Sequence, residues 1–379
     1  MTAENKRIKV GVIFGGRSGE HEVSLASAAS VMRALNPKKY EAVPIGIGKD
    51  GRWFVGTPAQ KMLPDVLRQG QRVMLNADPN VAALMPLDER DSASGAQRVD
   101  VIFPVLHGTY GEDGTVQGLL DLSGLPYVGS GVIGSAVGMD KDMQKRLFQQ
   151  AKLPVGEFLA VLRSEWEKGR ESVLKLVAKK FKFPLFVKPA TLGSSVGMSK
   201  VHKRSELSAA LDLAAEFAQK IVVERNIRGR EIEVAVLGND EPQAAAPGEI
   251  IPHREYYDYT AKYLEEGTRL EIPAKLSKAQ VRKFQEYAVR AFRCLECRGM
   301  ARVDFFLERP SGRIFLNEIN TIPGFTSISM YPKMWEASGV AYPELIDRLI
   351  QLALDEHREK QHTKYSIELP EGAGGALSA

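Results

Sequence analysis

The sequence predicts an α/β protein, α+β in part, built from more than one domain. Three observations carry this. Over residues 8 to 105, strand-like runs (8–14, 41–47, 99–105) alternate with a helix-like run (22–35), the pattern of a parallel sheet with helices on its faces. Further on, residues 303–307 and 314–319 are rich in β-branched and aromatic side chains and flank Glu-Arg-Pro-Ser-Gly, so they read as an antiparallel hairpin. At 379 residues the chain is long for one core, and two or three domains are expected.

In chain order, the first sheet is interrupted by residues 56–98, a polar stretch with scattered Pro, Asp, Ser and Gly that reads as an insertion of uncertain structure. A boundary is expected near 134–140, followed by a helix over 140–151 and a second α/β stretch that ends in a strand at 221–224. A third region holds a strand at 231–237, the polar segment YYDYTAKYLEEG, a long helix over 278–295, the hairpin, and an amphipathic helix from about 343 to 360 whose apolar face is Leu345, Leu349 and Leu352. Residues 361–379 read as a mobile tail.

Composition narrows the function. Apolar residues at 44% and charged residues at 26% are ordinary globular values. Lys plus Arg exceed Asp plus Glu by 51 to 47, an excess too small and dispersed for a nucleic-acid partner. No run of 18 apolar residues offers a membrane span, and the N-terminus leads into a strand without signal-peptide anatomy, so a cytoplasmic protein is expected. The only cysteines, Cys294 and Cys297, fall at the end of the long helix, with Cys294 expected in its core and neither expected to act as a thiol.

Five segments carry chemistry. In the hairpin, a loop over 308–312 makes opposite residue numbers sum to 620, which puts Asp304 one diagonal step from Glu318 on one face, with Asn320 and Arg302 beside them. Two carboxylates and a carboxamide offer only oxygen donors, which suits Mg²⁺ completed by substrate phosphates; pairing of Asp304 with Arg302 at a solvated sheet edge is the plainer alternative. LFVKPATLGSSVGMSKV (185–201) delivers Lys188 at a strand end and then a Gly-Ser loop, which either cradles phosphate oxygens or is an ordinary hairpin turn. IVVERNIRGREIEVAVLG (221–238) joins two buried strands by a polar bend, where Glu224 could accept from a ribose or simply be solvated. Finally, GVIFGGRSGEHEVS and LHGTYGEDGTVQG each place glycines after an apolar strand, where open α/β sheets bind ligands; they offer Glu20 for an ammonium and His107 for a catalytic or structural role. The G-x-G-x-x-G fingerprint of a dehydrogenase is absent, since Phe14 stands where the first glycine is needed.

These segments, with MDKDMQKRL, YYDYTAKYL and NEINTIPGFTSISMYP, resemble in residues and order the ATP-grasp superfamily, and within it the longer bacterial form of the D-alanine–D-alanine ligase family. The resemblance spans residues 8 to about 350. It implies a three-domain fold, with an N-terminal parallel-sheet domain (1–139) and two domains (140–225 and 226–360) clamping ATP. It implies ligation of two D-alanines through an acyl phosphate for peptidoglycan synthesis, with Mg²⁺ (Mn²⁺ able to substitute) and a homodimer. By matching motif, Asp304, Glu318 and Asn320 would hold two Mg²⁺ ions; Lys141, Lys188, Ser194, Ser195 and Lys262 would meet ATP phosphates; Glu224, Ile227 and Glu231 would line the nucleotide. Arg302 and the backbone at Gly324 would stabilise the tetrahedral intermediate, Glu20 with His107 would anchor the first D-alanine's ammonium, and Ser329 would take the second carboxylate. Ser194 and Tyr263 would link to Glu20 and close the site. Tyr259, Lys262 and Tyr263 keep the pattern of ligases with an amine nucleophile, against D-lactate as second substrate; a D-serine ligase and a nucleotide-binding regulator are the other readings.

Overall fold

The structure, a computed structural model, describes residues 7–56, 63–87, 95–193, 196–251, 269–326 and 328–365. Its first sheet starts with β1 (Ile8–Gly15), buried from Val10 onward. A strand covered on both faces reads as a continuous apolar run, which is why parallel pairing suits it. The helix α1 (His21–Ala34) carries the chain to β2 (Tyr40–Ile47), parallel to β1. Then come β3 (Trp53–Val55), α2 (Leu63–Gln69), β4 (Gln71–Leu75), β5 (Ala83–Pro86), β6 (Gln97–Arg98) and β7 (Val101–Pro104), the last pairing in parallel with β1 on its other side. The sheet order is β6-β5-β4-β3-β2-β1-β7. The stretch expected to be an insertion is therefore, in its described part, the antiparallel wing of this sheet; its strands have two to five residues, too short for periodicity to declare them.

Two helices, α3 (Thr115–Leu122) and α4 (Val132–Met139), lead to α5 (Lys141–Gln150), which Asp140 caps by accepting from the N–H groups of Asp142 and Met143. The second sheet consists of β8 (Phe158–Leu162), β9 (Leu185–Pro189), β10 (Ser199–Val201) and β11 (Lys220–Arg225) in the order β10-β9-β11-β8, all antiparallel. Helices α6 (Arg163–Lys168), α7 (Arg170–Lys180) and α8 (Leu207–Phe217) help to close its own core around Trp166, Val187 and Val223.

The third sheet begins after three intervening residues, 226–228. It contains β12 (Gly229–Gly238), β13 (Gln243–Ala244), β14 (Gly248–Ile251) and β15 (Arg269–Glu271), and after α9 (Lys278–Cys294), the hairpin β16 (Gly299–Glu308) and β17 (Ile314–Asn320). Its order is β15-β14-β12-β16-β17, with β13 on β12. The polar bend at 226–228 thus passes from one sheet to the next. Behind the third sheet, Phe284 and Ala288 of α9 pack on Val303 and Phe305. The chain closes with α10 (Met330–Ala337) and α11 (Tyr342–Lys360), whose Leu345 and Leu349 lie in a core shared by the first and third sheets.

The hairpin register differs from the expected one. Leu307 faces Ile314 and Phe305 faces Leu316, but Asp304 faces Glu318 and Arg302 faces Asn320, because a β-bulge intervenes between Asp304 and Phe305. Asn317 is the extra residue, unmatched across the ladder. The turn shifts the register by one residue and the bulge by another, so Glu318 stands directly opposite Asp304 instead of diagonal to it. The cysteine expectation is also reversed in detail: Cys297 is the buried one, while Cys294 is half-buried and turns its thiol to the Leu147 carbonyl. Burial pushes the Cys294 thiol up and the Cys297 thiol up to about 12, against thiolate chemistry.

Candidate active site

The carboxyl ends of β1 and β7 lie side by side. Gly15 and Gly16 have φ of +89° and +95°, and a Cβ on Gly15 would meet the Ile47 carbonyl at 2.3 Å, so the turn that leads to Glu20 and α1 needs glycine. The Glu20 carboxylate sits in a crevice: a Cβ added to Gly108, after β7, or to Gly193, after β9, would come within 3.0 Å of its Oε2. The predicted Glu20 site thus brings the first two sheets together.

His107 is fully engaged. Its Nδ1 lies 3.1 Å from the Ile322 carbonyl, which can only accept, so Nδ1 carries the proton and Nε2 accepts from Ser27 Oγ at 3.3 Å. Burial holds its pKa below the usual histidine range, in keeping with a neutral ring. Glu112 holds the other backbone group of Ile322, accepting from its N–H at 3.2 Å and from that of Gly108 at 2.7 Å. Burial, reinforced by the negative charge of Glu20, pushes its carboxyl up to about 8. His107 therefore serves as a brace to the 320–324 segment, a role the sequence left open beside a catalytic one.

On the third sheet, Arg302 forks onto Asp304 with bonds of 2.7 and 2.6 Å and reaches Glu233 at 3.1 Å. Burial opposes the guanidinium's charge, yet Asp304 and Glu233 outweigh it and raise its pKa well above the ordinary value. Asn320 donates to Asp304 at 3.0 Å, and Lys141 stands 3.6 Å from Glu318. Arg302 and Asp304 do pair, but on a partly buried face of an inner strand and not at a solvated edge.

The opposite wall is basic. Lys188 meets Glu224 at 2.8 Å and Lys145 meets its other oxygen at 3.2 Å; Lys145 also donates to the Asn317 carbonyl at 2.9 Å, and Lys141 to the Leu192 carbonyl at 2.8 Å. Burial opposes the Glu224 charge, but the two lysines prevail and lower its pKa. Burial likewise opposes the Lys188 charge, and Glu224 overrides it and raises its pKa. Ile227 and Glu231 line the same wall, and Ser329 begins α10 with its hydroxyl 2.8 Å from that of Thr326. A Cβ on Gly324 would come within 2.8 Å of Ser329 Oγ, so these two are neighbours.

One cavity of about 1150 Å³ is lined from all three sheets, by Glu20 and His107, by Lys188 and Glu224, and by Arg302 and Glu318. Ser194, Ser195, Tyr259, Lys262 and Tyr263 lie outside the described residues, as does the tail from 366 onward. Sequence reasoning missed Lys145, Glu112 and Glu233. Each left a signal, one turn after Lys141, inside the glycine-rich segment after His107, and two residues after Glu231 on one strand face. Among the described residues, no three His, Cys, Asp or Glu side chains gather as a metal cluster; Asp304, Glu318 and the Asn320 carboxamide are an oxygen-only set that would need substrate oxygens to complete it.

Family models agree with this geometry. One described as D-ala D-ala ligase N-terminus matches residues 9–130, and one described as D-ala D-ala ligase C-terminus matches 147–351. The D-alanine–D-alanine ligase of Natranaerobius thermophilus is 49% identical over 357 residues, covering 94% of this chain and 97% of that protein. Its counterpart from Heliobacterium modesticaldum is 51% identical over 357 residues, covering 93% and 96%. Among solved structures, the D-alanine–D-alanine ligase of Coxiella burnetii superposes with a TM-score of 0.84 at 39% identity, covering 95% and 97% of the two chains. The VanG D-Ala:D-Ser ligase of Enterococcus faecalis gives 0.82 at 37%, covering 92% and 100%. With two family models spanning most of its length and relatives near half identical along nearly all of it, the chain belongs to the D-alanine–D-alanine ligase family, ATP-dependent carboxylate–amine ligases of the three-domain ATP-grasp fold.

Proposed function

We propose that this chain joins two D-alanines into D-alanyl-D-alanine in the cavity between its three sheets, and that the residues gathered there divide the work. The carrying observation is the convergence of Glu20, Arg302, the Asp304–Glu318 pair and the lysine-rich wall on one cavity. The nucleotide lies along Lys188, Glu224, Ile227 and Glu231, with its phosphates toward Lys141 and the Gly193 loop. Glu20 holds the first D-alanine's ammonium, so that its carboxylate faces the γ-phosphate. The carboxylate oxygen attacks phosphorus and ADP leaves. The second D-alanine's amine then attacks the acyl carbon and phosphate departs. Arg302, charged at any working pH, faces the oxyanion of the tetrahedral intermediate together with the Gly324 backbone. Ser329, at the N-terminus of α10, receives the second carboxylate.

Asp304, Glu318 and Asn320 suit Mg²⁺, with Mn²⁺ able to substitute, and would hold two ions with substrate phosphate oxygens. Bound there, Mg²⁺ supplies charge neutralisation of the transferring phosphoryl group. Because Asp304 is also Arg302's partner, the same carboxylate sets where the guanidinium points. Ser194, Tyr263 and Lys262 complete and close the site on this reading, and the Tyr259, Lys262 and Tyr263 pattern favours an amine over D-lactate as nucleophile. The domains divide at 139/140 and 225/226. We place the enzyme in the cytoplasm, where ATP is available and its two free cysteines stay reduced. A homodimer would cover Leu122 on α3 with Val132 and Ile133 on α4, large apolar side chains left exposed on successive helices.

Hydroxylamine trapping tests the chemistry. With ATP, Mg²⁺ and D-alanine, an activated carboxyl yields D-alanine hydroxamate; ADP formed without hydroxamate or dipeptide would contradict the acyl-phosphate route.

A further inference from the structure

Strand β17 is the outer strand of the third sheet; Pro154 and Val155 bridge its edge at Leu316, and α5 lies along the edge beyond, at Asn317 and Ile319. Lys141, Gln144 and Lys145 occupy one face of that helix by their i, i+3, i+4 spacing. Gln144 treats Ile319 as a neighbouring strand would: its Oε1 accepts from the Ile319 N–H at 2.9 Å, and its Nε2 lies 3.5 Å from the Ile319 carbonyl. Lys145 donates to the carbonyl of Asn317, the bulged residue with no partner across the ladder. Two residues apart on a strand, Asn317 and Ile319 present their backbone groups on the same side, so one helix face serves both.

Lys145 has a second attachment. With a side chain only 3% exposed, it reaches Glu224, whose other oxygen holds Lys188. One ammonium therefore ties the bulge, which brings Glu318 opposite Asp304, to the carboxylate of the nucleotide wall. Its removal would leave the Asn317 carbonyl without its donor and the Glu224 carboxylate without one of its two cations, and a strand can relieve such a loss by moving the bulge, which takes Glu318 out of register with Asp304.

We infer that Lys145 is a positioning residue that holds the bulge of β17 in place, sets the Asp304–Glu318 pair, and couples cation binding to nucleotide binding. The inference rests on the cation and nucleotide assignments above, and its test separates the two. A fluorescent ADP analogue is titrated into the full-length protein in EDTA and again in saturating Mg²⁺, without turnover. The ratio of the two Kd values is the tightening due to the cation. In Glu318→Gln this tightening is expected to vanish; a wild-type ratio there overturns the cation assignment and this inference with it. In Lys145→Met the ratio is expected to fall about tenfold, whatever the change in EDTA binding itself, and Lys145→Arg recovers part of the loss. A wild-type ratio in folded Lys145→Met overturns the inference while leaving the cation assignment standing. Should Lys145→Met fail to fold by thermal melt, Gln144→Leu, which frees the Ile319 edge but keeps Lys145, carries the test: a reduced ratio supports positioning by α5, and an unchanged one contradicts it.

Discussion

Asp304 faces Arg302, Asn320 and Glu318 at once, and its chemistry follows from that crowding. Replacing it by Asn, or Glu318 by Gln, keeps shape but removes a charge from an oxygen-only donor set. Turnover is expected to fall by at least about 100-fold, with the Mg²⁺ requirement moved to higher concentration, as read from rates over a Mg²⁺ series. Near-normal rates would remove both residues from the cation site. Glu112 makes a different prediction. Its pKa rises from 4.5 to about 8 on folding, so its contribution to stability is complete below the unfolded value and is lost as pH climbs through about 8. His107, whose pKa falls on folding, gives the opposite slope as its unfolded form deprotonates, so the comparison must be made against a variant. Glu112→Gln should lessen the loss of unfolding free energy between pH 5 and 8 in urea titrations; an unchanged slope would place the Glu112 proton elsewhere. Both residues stood in readable motifs, yet only Asp304 was legible, because alternation shows which face a strand residue takes and nothing in HGTYGEDG shows that Glu112 turns back to its own Gly108.

At the scale of elements, the hairpin shows where pattern reading stops. Alternation identified both strands and the shared face of Arg302 and Asp304, and Glu318 with Asn320. It could not reveal the bulge at Asn317, because the contacts that meet it come from outside the hairpin, from Lys145 and Gln144 of α5 and from Pro154, whose carbonyl accepts from the Leu316 N–H. The long helix α9 was legible for the converse reason: its apolar period is complete within one segment, and Ser277 with Gln280 forms a capping box at its start. Phe284 on that helix packs edge-on to Phe305, 5.3 Å between centroids, directly behind the residue next to Asp304. Phe284→Ala should cost about 3–5 kcal/mol in denaturant unfolding. A cost below 1 kcal/mol would mean that α9 does not support the sheet as described.

Across the whole molecule, three sheets contribute to one cavity, and two of them share a core through α11 while the second keeps its own. Glu20 and Gly193 stand where the first and second sheets meet. Saturating nucleotide with Mg²⁺ at about 100 times its Kd should raise stability by about 2.7 kcal/mol, visible as a higher Tm. Ile133→Asp, placed on the exposed face of α4, should yield monomers in sedimentation if that face joins two copies; an unchanged dimer would assign the interface elsewhere. The order of ligand-bearing segments along the chain was legible because each is a strand end followed by glycine or charge. Their meeting was not, since it depends on how separate sheets pack. The most direct test is one incubation with ATP, Mg²⁺ and D-alanine, assaying phosphate and dipeptide together, with L-alanine and D-lactate in parallel. The prediction is dipeptide from D-alanine alone, one phosphate per bond formed. Phosphate without dipeptide, or neither product from folded protein, would contradict it.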